Sequence, residues 1–254
     1  MKRETWNKFV KTREQYRAAV EEIKRSLPEL GGLQQELVKA RSAGKSGSAA
    51  YTVETPIVYN TALDDVGSAD DIRLILVADN PGRREQAAEN RRYLVGPSGK
   101  LAETFFRENP SLGIDFRANA IILNKTPVHT ARTAELRELC RLGGTPLTDT
   151  IERSQRTMAR LLLEFHKALA PVPVWIIGYS EMKHGGIFAA YTEEIQSLYN
   201  TSKHKDDILL FRHFSMNQFK MDLGQRALEG ESLAETLARI GAAYRQRIFG
   251  WQAG

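Results

Sequence analysis

Ile72-Arg73-Leu74-Ile75-Leu76-Val77-Ala78-Asp79-Asn80-Pro81-Gly82 is the stretch that decides the fold, followed after the arginine-rich run 83–92 by Tyr93-Leu94-Val95-Gly96-Pro97-Ser98-Gly99-Lys100-Leu101. Leu74 to Val77 is a short continuous apolar run with branched side chains, the pattern of a central strand covered on both faces. Pro81 has no amide proton and Gly82 tolerates positive φ, so the strand must stop there. Small polar residues therefore stand at the carboxyl end of a buried strand, where open α/β sheets bind ligands.

Three more runs repeat the pattern. Ala118 to Asn124 holds Ile121-Ile122-Leu123 and ends at Asn124-Lys125-Thr126-Pro127; Pro173 to Gly178 ends in a glycine; Ile208 to Phe211 leads into His213-Phe214-Ser215-Met216. Helical periodicity separates them. The spacing predicts a helix from Ser98 to Glu108, one over Leu147–Leu169, a segment containing Phe188 and Ile195, and a last helix over Ser232–Ile248. Strands alternating with helices predict an α/β fold, a three-layer α/β/α sandwich around a mostly parallel four-stranded sheet.

An amphipathic helix from Thr5 to about Leu27 precedes this unit, with a further short helical stretch at Leu33–Arg41 and a flexible linker at Ser42–Ala50. The expected organisation is residues 1–50 as amino-terminal helix and linker, and 51–254 as the α/β domain. Thr52–Thr61 is β-prone, and 83–92 reads as a polar loop or irregular helix carrying four arginines. Gly44-Lys45-Ser46 is no phosphate loop, because Lys39 stands where the loop's first glycine belongs and no apolar strand leads in.

Composition narrows the function classes. Thirty-six Lys and Arg against 31 acids leave a net charge of +5, a tilt towards a polyanionic partner. Cys140 is the only cysteine, which excludes an intrachain disulfide framework and a cysteine-held zinc or iron-sulfur centre. No apolar run approaches the roughly 18 residues that span a bilayer, and the charged start is no signal core, so a soluble cytoplasmic protein with no membrane partner is expected.

If the four strands lie side by side, Asp79-Asn80, Asn124, Gly178 and His213 share one crevice. An Asn side chain offers a donor and an acceptor to a polar planar edge, and a His can donate to an oxygen gaining charge as a bond breaks. His129, Arg132 and His184 are further candidates, on loops able to fold over the crevice.

The order of these motifs resembles the uracil-DNA glycosylase superfamily. Ala78-Asp79-Asn80-Pro81-Gly82 is similar to its Gly-X-Asn-Pro-Gly motif, and Tyr93 to Leu101 to the Pro-Phe-Val-Gly-X-(Ala/Ser)-Gly-X-Leu segment of the iron-sulfur and related families. Ile121 to Asn124 looks like the strand whose terminal Asn reads uracil, Trp175 to Gly178 resembles the later Leu-Gly strand, and His213-Phe214-Ser215 occupies the place of the His-Pro-Ser motif.

The resemblance implies a glycosylase-like sandwich that hydrolyses the N-glycosidic bond of uracil or another deaminated base flipped from DNA, acting as a monomer without cofactor or metal. It makes Asn80, Asp79 and His213 catalytic. Asn124, Tyr93, Leu94 and Ala78 would bind the base, and Gly82, Gly96, Ser98, Lys100, Phe214, Ser215 and Met216 the DNA. There are departures: Ala78 replaces a glycine, Leu94 an aromatic ring, and Phe214 a proline, and the cluster cysteines are absent. Two alternatives stand beside the glycosylase: an inactive glycosylase fold that binds DNA or nucleotides, and an enzyme of a small phosphorylated metabolite.

Overall fold

The computed structural model describes residues 1–43 and 49–251. The Gly44-Lys45-Ser46 triplet and much of the expected linker lie outside the described residues. Two helices open the chain, α1 (Arg3–Ser26) and α2 (Leu30–Ala43). The α/β unit then runs β1 (Leu74–Ala78), α3 (Pro97–Glu108), β2 (Ala120–Asn124), α4 (Glu135–Leu169), β3 (Val174–Ile177), α5 (Ala189–Tyr199), β4 (Ile208–Phe211), α6 (Gln218–Arg226) and α7 (Leu233–Phe249).

The four strands form one wholly parallel sheet in the order β2-β1-β3-β4. Every residue of β1 and β3 is buried, as the continuous apolar runs require when helices cover both faces. The register pairs Ala78 with Asn124, Val77 with Ile176, and Ile177 with Phe211, so all four carboxyl ends emerge along one edge. From β1 the chain first moves outward to β2 and then returns to β3 on the other side. The reversal lies between β1 and β3, the point where such sheets open a crevice.

Aromatic packing holds the layers. On one face the Trp175 ring stacks on Phe106 of α3 at 5.5 Å, and meets Phe211 at 4.9 Å and Phe219 of α6 at 6.1 Å. α7 closes on β4 at Gly241, where a Cβ would stand 2.6 Å from Leu209 Cβ. On the other side α1 lies along α4, with Phe9 and Tyr16 packed on Phe165 at 5.6 and 6.2 Å. The amino-terminal helix thus shares the core of the α/β unit.

Four details differ from the sequence reading. The β-prone stretch 52–61 forms no strand, only an isolated antiparallel bridge between Ile57 and Val128. Side chains satisfy its backbone instead: Gln35 Oε1 accepts the Val53 amide, and Gln86 Oε1 those of Glu54 and Thr55. α2 starts at Leu30 and absorbs Gly31-Gly32 into its first turns. α4 begins at Glu135, well before Leu147, because its two halves join through a break at Gly144 (φ 68°) that reads in sequence as a stop. α6 was not foreseen; it starts directly after Asn217, whose φ is 59°.

Trp175 lies at the centre of the aromatic layer, so Trp175→Ala should cost about 3–5 kcal/mol of stability, read from urea unfolding. A loss under about 1 kcal/mol would mean that this layer repacks freely.

Candidate functional site at the strand ends

The crevice is built around a buried charge. Lys125 follows Asn124 directly, and its amide donates to the carbonyls of Ala78 and Asp79, both at 3.0 Å, which locks the β2 exit onto the β1 exit. Its side chain is fully buried; Nζ donates to Asp79 Oδ1 at 2.5 Å and to the Ile177 carbonyl at 2.6 Å, and lies 4.9 Å from the Phe188 ring centre. Burial pushes the Lys125 pKa down, and the Asp79 carboxylate pulls it back up. Thr133 Oγ1 donates to the other Asp79 oxygen at 3.1 Å. Asp79 is therefore a clamp across the ends of β1, β2 and β3, with both carboxylate oxygens engaged.

Gly178 makes room for that clamp. It has φ 80°, a conformation that disfavours any side chain, and a Cβ there would lie 2.4 Å from Asp79 Oδ1. Its amide donates to the Phe211 carbonyl at 2.9 Å, which carries the edge on towards His213.

Around the clamp stand three groups with free hydrogen-bonding capacity. Asn80 donates through Nδ2 to Thr130 Oγ1 at 2.9 Å, an anchor that leaves Oδ1 without a bond among the described residues. Asn124 is 2% exposed, and neither its Nδ2 nor its Oδ1 has a partner among the described residues. His213 Nδ1 accepts the Ser215 amide at 3.1 Å and lies 2.8 Å from Ser215 Oγ. Nδ1 being an acceptor, the neutral ring carries its proton on Nε2, which makes no bond among the described residues. Burial lowers the His213 pKa, opposed by Asp79 and reinforced by Lys125, so the ring is a neutral donor at physiological pH.

The loops beyond the strands form a cleft of about 1060 Å³ lined by Gly82, Arg83, Arg84, Gly96, Ser98 and Arg132, with Glu54 and Glu89 adding acidic groups. Glu85 is the pin inside it. Its carboxylate is buried and accepts from the backbone of Gly82 and Leu94, and desolvation raises its pKa to about 7. Leu94 has φ 53°, and its carbonyl is so close to α3 that a Cβ on Gly99 would stand 1.5 Å from it. Arg117 holds the same carbonyl at 2.6 Å.

Other predicted residues lie elsewhere. Tyr93 is committed to the core, donating to the Val58 carbonyl at 2.6 Å and bonded to Tyr16 Oη at 3.0 Å, so its ring is not offered to a base. Phe214 is buried, stacked on Phe219 at 4.3 Å, whereas Met216 is 78% exposed with φ 51°. Of that pair only Met216 projects. Lys100 lines a different hollow, of about 500 Å³, with Arg92 and Arg117. His129 is a structural link: Nδ1 donates to the Pro81 carbonyl at 2.9 Å, Nε2 accepts from Tyr51 Oη at 2.9 Å, and burial lowers its pKa to about 4. His184 is exposed on the loop after β3. Sequence reasoning missed Lys125, Glu85 and Thr130, though Lys125 sits next to a residue that it had singled out. Comparison with known proteins finds no matching family model and no matching curated protein.

Lys125→Met strands the Asp79 carboxylate and should cost about 3–5 kcal/mol, with much of that recovered in Asp79→Asn/Lys125→Met. Equal losses in single and double variants, measured by urea unfolding, would show that the pairing is not what the buried lysine provides. For Glu85 the folded pKa of about 7 lies above its ordinary 4.5, so its contribution to stability is complete below pH 4.5 and is lost as pH rises through 7. The loss amounts to about 3 kcal/mol. Glu85→Gln should therefore gain stability relative to the parent between about pH 4.5 and pH 8; parallel pH profiles of the unfolding midpoint would refute the assignment.

Proposed function

We propose that this chain hydrolyses the N-glycosidic bond of a deaminated base, uracil first, flipped out of DNA into the strand-end crevice. The observation that carries the reading is Asn124, a buried amide with donor and acceptor both unsatisfied. Leaving such groups unpaired costs about 1–3 kcal/mol each, a penalty that a complementary base edge removes. Its register partner is Ala78, the last residue of β1, so Asn124 stands beside the start of the loop that carries Asn80.

The chemistry follows from the free atoms. As the bond from sugar to base breaks, its electron pair stays on the base, and negative charge collects on an exocyclic carbonyl oxygen. His213 Nε2–H donates to that oxygen; one preorganised donor of this kind is worth roughly 3–4 kcal/mol of barrier. Asn80 Oδ1 accepts a hydrogen bond from the attacking water, which aims the water's lone pair at the sugar carbon; the water oxygen bonds to that carbon as the base leaves, its proton passes to solvent, and solvent protonates the departing base anion. Asp79, tied to Lys125 and Thr133, holds this arrangement and leaves a carboxylate near the developing sugar cation. Arg83, Arg84 and Arg132, with the amino end of α3 at Gly96 and Ser98, suit the phosphates, and exposed Met216 suits the space left by the flipped base.

A second reading is a glycosylase-type fold kept for binding DNA without catalysis. It is favoured by the absence of a stacking ring among the motif residues: Tyr93 and Phe214 are core residues, and Leu94 is aliphatic.

The deciding assay is alkaline strand cleavage on single- and double-stranded oligonucleotides carrying uracil, hypoxanthine or xanthine. Base release should fall by about 100- to 1000-fold in His213→Ala, and comparably in Asn80→Ala. Asn124→Leu should abolish release while leaving the unfolding midpoint equal or higher, because a buried unpaired amide is removed. Failure to release any base, together with salt-sensitive DNA binding, would replace the catalytic reading with the second one.

A further inference from the structure

A different cluster lies at the opposite end of the sheet, where the chain enters β4. His166, in the last turn of α4, is fully buried. Its Nδ1 lies 3.2 Å from Tyr199 Oη at the end of α5, and its Nε2 has no hydrogen-bond partner among the described residues. That nitrogen is 3.5 Å from Asp207 Oδ2. His204 Nδ1 reaches the same oxygen at 3.3 Å, and the two imidazole rings are 5.0 Å apart. One ligand atom from each of the three residues lies within 4.8 Å of the other two.

We infer that His166, His204 and Asp207 bind one divalent transition-metal ion, zinc by their donor set, as a staple between α4, the end of α5 and the entry to β4. Zinc takes imidazole nitrogen and carboxylate oxygen at about 2.0–2.2 Å in a tetrahedron, which sets neighbouring ligand atoms roughly 3.3–3.5 Å apart. The two separations centred on Asp207 Oδ2, 3.5 and 3.3 Å, match that edge. Two imidazoles and one carboxylate leave a fourth position for water. A plain His166–Asp207 contact is the competing account, but at 3.5 Å it falls short of hydrogen-bond geometry.

Surroundings agree with the inference. With Nδ1–H donated to Tyr199 Oη, the lone pair of His166 Nε2 is directed at the ion, the outer-partner arrangement usual for metal-binding histidines. The adjacent Asp206 is drawn away to Arg245 at 2.8 Å, which leaves Asp207 as the carboxylate of the site. β4 separates this cluster from His213 by four strand residues, about 13 Å at the usual rise, so the ion is structural and does not touch the strand-end chemistry. The inference stands whatever reaction the crevice performs.

The test is zinc titration by calorimetry on the full chain after chelator treatment, with Co²⁺ as a second probe read by its visible absorption. One ion per chain is expected, with a rise in thermal midpoint on zinc addition. His204→Ala and Asp207→Asn should each weaken binding by more than about 100-fold, and Tyr199→Phe, which removes only an orienting partner, by about 10- to 100-fold. His204 and Asp207 are partly exposed, so their variants are expected to fold, which circular dichroism checks. No saturable binding at one ion per chain, or equal affinity in the parent and the two ligand variants, would overturn the inference.

Discussion

A lysine ammonium with no access to water sits at the centre of this protein, and its neighbours are arranged to keep it there. Burying such a charge is tolerable only with a close counter-charge and further acceptors. Lys125 has both, in Asp79 and the Ile177 carbonyl. Because the three residues come from the ends of β2, β1 and β3, the pair ties together three strand exits that parallel hydrogen bonding alone does not fix. Gly178 is the matching concession, a left-handed residue whose missing side chain lets Asp79 lie across the switch point of the sheet.

With the clamp in place, the polar groups around it are held but not consumed. Asn80 is anchored by its nitrogen and keeps its oxygen open; His213 is held by Nδ1 and keeps Nε2–H open. Asn124 keeps both atoms open in a buried setting. Buried polar groups are ordinarily paired, and of the three Asn124 is the buried one left open, which is why the proposed base contact falls on it.

Strain is concentrated in the same region. Among the described residues, the non-glycine positions with positive φ are Arg91, Leu94, Met216 and Asn217, in the two loops that flank the strand ends. Such conformations cost of order 1–3 kcal/mol each and persist where neighbouring structure over-determines them. Glu85 and Arg117 hold the Leu94 loop from two sides, and the His213–Ser215 bonds hold the other.

The fold was legible in the sequence because its signals are local. Continuous branched runs at Leu74, Ile121, Trp175 and Ile208 mark strands covered on both faces, and the residues after them could be read as strand ends. The alternation with helical periods gave the layers. What the sequence could not yield depends on through-space arrangement. The order β2-β1-β3-β4 places Asp79 beside Lys125 and Gly178; propensity gives Tyr93 and Phe214 the same character as stacking or wedge residues, and only packing directs both into the core. Thr52–Thr61 has strand propensity but no partner strand, so glutamine side chains took its amides. His166 and His204 have no ligand spacing and converge with Asp207 only because α4 ends where β4 begins. Composition and periodicity determine which segments can be buried; which polar groups then meet, and which are left open, is set by the register of strands far apart in the chain.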